Sequence, residues 1–195
     1  SGALFDMVKL LDVSKTVIST YSAEKVLEDV LNWSNIYDKD LYELLNRDKE
    51  YALKIFGIER GNVKPRKDIA KWSDVKDSII YMFDDRFLDS NIEYEYQKVT
   101  DEDEIKKIVT TYFDKYYDEN DDKQTWFNKM KDLSEELGYA REVKEYKNNP
   151  DSYKGHVGDI STVIRVKVTG RANTPDLYEI LKVLGKESVL KRASK

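Results

Sequence analysis

The sequence predicts an all-α protein, and three observations carry that prediction. Apolar residues recur at i, i+3, i+4 and i+7 in successive windows, the spacing of one helix face. Glycine and proline are scarce, at 8 and 3 of 195 residues, whereas Lys, Glu, Leu and Tyr abound, which disfavours a turn-rich sandwich. Only one stretch, residues 163–169, alternates in the manner of a strand, and no second strand is readable to pair with it.

The elements follow in order. Residues 1–20 read as a short connecting segment in which Leu4, Phe5, Val8 and Leu11 have roughly helical spacing, interrupted by Asp12-Val13-Ser14-Lys15. Ser22 caps a helix with Val26, Leu27, Val30 and Leu31 on one face. The next helix is expected over 38–56, with Leu41, Leu44, Leu45, Ala52, Ile55 and Phe56 as its stripe and Gly57 as its stop. Gly61 to Pro65 is the clearest boundary. Beyond it a basic run, Pro65-Arg66-Lys67, leads to a helix capped by Ser73 with Val75, Ile79, Met82 and Phe83 inward.

Residues 84–99 are acidic, aromatic and irregular, with one brief helix. Thr100 is expected to cap a helix whose stripe is Ile105, Ile108, Val109, Tyr112, Phe113 and Tyr116. The four acids at 101–104 are the dipole complement of that helix start rather than a metal site, since no second ligand cluster converges on them. A helix over 123–137 turns Trp126, Phe127, Met130, Leu133 and Leu137 inward and stops at Gly138. A polar segment, 139–155, contains Pro150. At the end, Thr174 is a good N-cap and Pro175 suits the first helical position. Leu177, Ile180, Leu181 and Leu184 form the apolar face, and Gly185 ends it.

Residues 163–169 pose a conflict, because Val, Ile and Thr in alternation favour a strand. A lone strand would leave its backbone unpaired, and packing overrides so weak a preference, so helix is expected.

Composition narrows the function. A 40% hydrophobic content with 12% aromatics supports a folded core. There is no cysteine and a single histidine, which exclude a disulfide framework and a thiolate metal site and leave no ligand set for structural zinc. No apolar run approaches the ~18 residues of a membrane span, and no signal peptide is readable, so no membrane partner and a cytoplasmic location are expected. The first residue is Ser1, and the chain reads as a fragment of something larger.

The net charge of −5 is unevenly spread. Residues 84–122 hold 14 acids and 5 bases, residues 154–195 hold 9 bases and 4 acids, and residues 59–76 hold 6 bases and 3 acids. Two basic regions and one acidic one suit a polyanionic partner, and equally suit ordinary solvated helix faces. No Ser-His-Asp set, Gly-rich phosphate loop or pair of carboxylates with contrasting surroundings is readable. No catalytic residue is therefore assigned.

One resemblance goes further. Ile164-Arg165, then Thr169-Gly170-Arg171, then Pro175-Asp176-Leu177-Tyr178-Glu179-Ile180-Leu181, then Leu184-Gly185-Lys186-Glu187 and Val189-Leu190-Lys191-Arg192 are similar to the C-terminus of bacterial glutamyl-tRNA synthetases. Residues 2–19 resemble the segment that follows the KMSKS-type signature in one bacterial clade. Residues 65–85 and the stretch from Trp126-Phe127 to Tyr139 resemble parts of the anticodon-binding domain.

The resemblance implies an all-α fold with a helical connecting segment, 1–58, and a two-part anticodon-binding domain, 59–150 and 151–195. It implies a parent glutamate–tRNA ligase that uses ATP and Mg, with its catalytic domain upstream. This chain would hold no cofactor of its own. The implied partners are glutamate tRNA, with glutamine tRNA as a second candidate, and the upstream catalytic domain. The RNA-binding candidates are Arg66, Lys67, Lys71, Arg165 and Arg171, since arginine pairs bidentately with phosphate or base edges and lysine supplies charge. Trp72 or Tyr81 either stacks on a base or packs in the core. Arg165 has a second reading as an internal tie between helices. A helical protein-interaction module without RNA binding is the alternative function.

Overall fold

A computed structural model describes residues 6–195; Leu4 and Phe5, with their expected helical spacing, lie outside the described residues. Among the described residues there are eleven α-helices, and pairing of extended backbone is limited to one isolated bridge between Ala140 and His156. The chain divides into two compact units, with the boundary between Phe83 and Asp84. The divisions expected at 58/59 and 150/151 each fall inside one of these units.

The first unit contains α1 (Met7–Ser19), α2 (Ala23–Tyr37), α3 (Lys39–Arg47), α4 (Lys49–Gly57) and α5 (Val75–Ile79), with 3₁₀ turns at Trp72–Asp74 and Ile80–Met82. Asp6, Ser22, Asp38 and Asp48 cap α1 to α4, each side chain accepting from the N–H three residues on. The helix expected over 38–56 is therefore two. Asp48 leaves the helical region at φ −147°, and its carboxylate restarts the chain as α4. Asp12 to Lys15 do not interrupt α1, because polar side chains are tolerated on a helix that is exposed along most of its length.

Ser73 is not a cap either; it lies inside the first 3₁₀ turn, which has no side-chain cap. Val26, Val30, Leu41, Leu45, Ala52 and Val75 are fully buried and form the core of α2, α3, α4 and α5. At ~25 cal/mol per Å², each of the valines and leucines contributes about 1.5–3 kcal/mol.

The second unit comprises α6 (Asp84–Leu88), α7 (Glu102–Thr111), α8 (Lys123–Glu136), α9 (Val143–Asn148), α10 (Val157–Thr169) and α11 (Leu177–Ser194). Asp101, not Thr100, caps α7, its carboxylate accepting from Glu104 N–H at 2.8 Å. After Thr111 the chain widens into a π-helical turn, Tyr112–Tyr116, where Tyr112, Phe113 and Tyr117 cluster ring on ring. Trp126 joins them by donating Nε1–H to the Tyr112 hydroxyl at 2.9 Å. Phe127 does not face inward as expected: it is 36% exposed, with Lys131 over its ring. Adjacent residues on a helix point about 100° apart. Trp126 holds the core position.

Residues 163–169 are helical. Ile160, Ile164, Val166 and Val168 are fully buried, and α10 packs against α7, α8 and α11. Apolar residues on all sides are what a central helix requires, so alternation here reflects burial, not a pleat. Gly170 ends α10 in the left-handed region at φ 70°. A Cβ there would sit 3.1 Å from Ile92 Cγ2. The N-cap of α11 is Asp176 and not Thr174, so Thr174 and Pro175 belong to the loop before the helix. Gly185 kinks α11 at φ 75°, ψ 162° instead of ending it.

Candidate nucleic-acid interface

In the first unit the basic candidates lie on one irregular segment between α4 and the 3₁₀ turn at Trp72. The segment is pinned at its C-terminal end. Ile69 and Ala70 are buried, and Ser14 of α1 donates its hydroxyl to the Ala70 carbonyl. Its preceding loop is pinned by Arg60, which donates to the carbonyls of Phe56, Ile18 and Tyr21 at 2.8, 2.9 and 3.0 Å. Burial pushes that guanidinium below its ordinary pKa. Arg60 is thus a structural cation.

Between these anchors Lys67 is exposed, Arg66 pairs with Asp68, and Lys71 stands 3.6 Å from Asp74 with both side chains in water. Exposed pairs of this kind are worth about 0–1 kcal/mol and yield readily to a phosphate. Lys76 is different: Asp40 and Asp38, each at 3.0 Å, raise its pKa and hold it to α2 and α3. Of the two aromatic candidates, Tyr81 is buried and belongs to the core, whereas Trp72 is half-buried at the segment's end.

In the second unit the candidates flank the loop between α10 and α11. Arg165 is largely engaged within the fold. Its Nη1 donates to the carbonyls of Thr174 and Pro175, at 3.3 and 2.6 Å, and to the Thr174 hydroxyl. It fastens the far end of the loop to α10. Thr169 fastens the near end: its hydroxyl donates to the Arg165 carbonyl at 2.7 Å and accepts from Arg171 N–H at 3.1 Å. Arg171 itself is half-exposed on this doubly tied loop. Arg66, Lys67 and Lys71 are brought together on one segment, and Arg165 of α10 and Arg171 of the following loop lie at one end of α10 in the other unit.

Most of the basic excess at 154–195 is consumed internally. Arg192 is completely buried and donates to Asp84, Ser188 and the Val168 carbonyl. Lys195 donates to the carbonyls of Phe87, Leu88 and Ser90 at the end of α6. Lys154 pairs with Glu104 and Lys191 with Glu187, while Lys182 donates to the Glu119 carbonyl. From the acidic stretch, Asp84, Glu104 and Glu119 pair with Arg192, Lys154 and Lys186. Lys167 is an exception, and neither spacing nor charge count had singled it out.

Among the described residues no group of three or more His, Asp or Glu is placed to hold a metal ion, and no helix is long and apolar enough to cross a membrane.

Residues 145–195 match a family model described as "Anticodon binding domain", a span that includes α10, its tied loop and α11. The whole chain is similar to proteins named glutamate–tRNA ligase. It is 44% identical over 196 residues to that of Clostridium perfringens (strain SM101 / Type A), covering 100% of this chain and 35% of the relative. It is 45% identical over 192 residues to that of Acetivibrio thermocellus, covering 98% and 34%, and 40% identical over 194 residues to that of Sorangium cellulosum, covering 100% and 34%. The chain spans about a third of the length of these curated relatives.

Proposed function

We propose that this chain, whose residues 145–195 match the anticodon-binding domain model and whose full length aligns with about a third of the length of its glutamate–tRNA ligase relatives, is the anticodon-arm-binding C-terminal part of such a ligase. The observation that carries this reading is the end-to-end similarity at 40–45% identity, with the family match falling on the loop that Arg165 and Thr169 fasten. A loop tied at both ends presents its backbone and Arg171 without paying ordering entropy on binding. Arg66, Lys67 and Lys71 contribute charge on the second basic segment, and Arg171 contacts phosphate or a base edge. Arg165 is a positioning residue.

The partner is glutamate tRNA, with glutamine tRNA as a second candidate. The parent ligase uses ATP and Mg in an upstream catalytic domain to activate glutamate in the cytoplasm. This chain holds the anticodon arm so that the acceptor end reaches that distant site, a gain of orientation rather than chemistry. Residues 1–58 connect the two functions. Consistent with that role, Met7, Val8, Leu10, Val13 and Val17 of α1 are exposed apolar residues, a surface suited to packing on the rest of the parent protein.

The test is a titration of the chain with a glutamate tRNA transcript at two salt concentrations. Neutralised phosphates release counterions, so affinity falls steeply with salt. Binding that is unmoved by salt would contradict the reading.

A further inference from the structure

The second unit contains a pocket that the tied loop does not account for. It has a volume of about 610 Å³, within the range of ligand sites, and is walled by Tyr94, Tyr96, Ile105, Val109 and Lys167. Glu102 and Lys106 of α7 stand at its margin. Tyr94 and Tyr96 are stacked, with ring centroids 6.2 Å apart and planes inclined by 22°. The Lys167 ammonium lies over the Tyr94 ring at 5.1 Å.

We propose that this pocket holds one unstacked nucleobase of the bound RNA, seated against the Tyr94–Tyr96 pair with an acceptor on its edge facing Lys167. The proposal rests on the anticodon-arm reading above and extends it to a base site on the α7 side of α10.

Three features support it. The first is polarity left unmatched. Lys167 is half-buried over the Tyr94 ring with no carboxylate partner among the described residues, and desolvation lowers its pKa. Most other basic residues of the last forty are tied to acids or carbonyls, so Lys167 stands out. Leaving a donor desolvated and unmet costs free energy that a ligand acceptor restores. The second is chemical fit. Tyrosine faces stack on any base, and a lysine ammonium has donors only, which selects an edge bearing O or N acceptors.

The third is place. Ile92 lies against Gly170, and two residues on Tyr94 lies under Lys167. The 92–96 segment therefore runs beside α10 away from its capped end. Lys167 lies in the last turn of α10, and Arg171 directly follows the Gly170 that ends that helix. An RNA loop held at Arg171 reaches the pocket mouth with a neighbouring nucleotide.

The experiment is a coupling scan. Anticodon arms of glutamate tRNA, each lacking the base at one loop position, are titrated against the wild-type chain and against Tyr96→Ala, Tyr96→Phe and Lys167→Gln. One position is expected at which base removal weakens wild-type binding about tenfold but does not weaken Tyr96→Ala further. Tyr96→Phe, which keeps the stacking face, restores the coupling, and Lys167→Gln reduces it. Salt-dependent binding of every arm without coupling to Tyr96 or Lys167 would overturn the base pocket and leave the anticodon-arm reading intact. Failure of the wild-type chain to bind any arm would overturn both. Circular dichroism confirms that each variant is folded, and Lys167→Gln carries the test should Tyr96→Ala not be.

Discussion

Arg192 Nη2 donates to Asp84 Oδ1 at 2.8 Å, joining the last helix of the second unit to the first residue of its first helix. The guanidinium also lies over the Phe87 ring at 4.2 Å and donates to the Val168 carbonyl. A fully buried arginine tolerates its surroundings only while these partners remain. Asp84→Ala leaves the charge uncompensated and is expected to cost about 2–4 kcal/mol of second-unit stability. Urea unfolding followed by circular dichroism checks this, and a loss under about 0.5 kcal/mol would mark the pair as incidental.

Arg165 closes the loop before α11 through its Nη1, which donates to the Thr174 and Pro175 carbonyls from a rigid guanidinium that lysine lacks. Arg165→Lys is expected to cost about 1–3 kcal/mol in stability and to weaken RNA binding without changing its salt slope. A lower slope would mean that Arg165 contacts phosphate directly. Urea unfolding together with a salt series separates the two.

The tyrosines give the fold an alkaline limit. Burial pushes Tyr96 and Tyr117 up to about 12, and neighbouring acids add to the rise at Tyr117. Tyr112, more deeply buried, is raised further. A group whose folded pKa is raised contributes stability that is fully present below its unfolded pKa, near 10, and is lost as pH rises through the folded value. The tyrosine contribution to stability is therefore expected to be constant below pH 10 and to fall between pH 10 and about 12. Phenolate absorbance of the folded chain should lag that of the unfolded chain across this window. Coincident titration curves would contradict the burial.

Much of the fold was legible because packing obeyed local spacing. Leu177, Ile180, Leu181 and Leu184 are buried as their period requires, and α8 turns Trp126, Met130 and Leu133 inward as expected. What was not legible depended on competition between neighbours. Asp48 splits one expected helix because its carboxylate caps better than it continues, and Asp101 and Asp176 take the caps that Thr100 and Thr174 also suited. The candidate site residues rested on the resemblance and on charge. Charge spacing distinguished neither Arg165, which clamps a loop, nor Arg192, which is buried, from a residue such as Lys67 that faces water. That distinction depends on contacts spanning up to 108 residues.

The basic segment of the first unit is expected to act by charge alone. Lys67→Ala and Lys71→Ala should each lower the salt slope of tRNA binding by about 0.7 per lost phosphate contact, equally for every anticodon sequence. Because both side chains are exposed, stability should change by no more than about 0.5 kcal/mol. Retention of the full slope in the double variant would remove this segment from the interface.

The role proposed for the chain is recognition of an anticodon arm. The most direct measurement compares its affinity for a glutamate tRNA transcript with that for the same transcript carrying an exchanged anticodon, at fixed salt. Preference for the native anticodon by about tenfold or more, lost in Arg171→Ala, is the predicted result. Equal affinity for both transcripts, unaffected by Arg171→Ala, would contradict it.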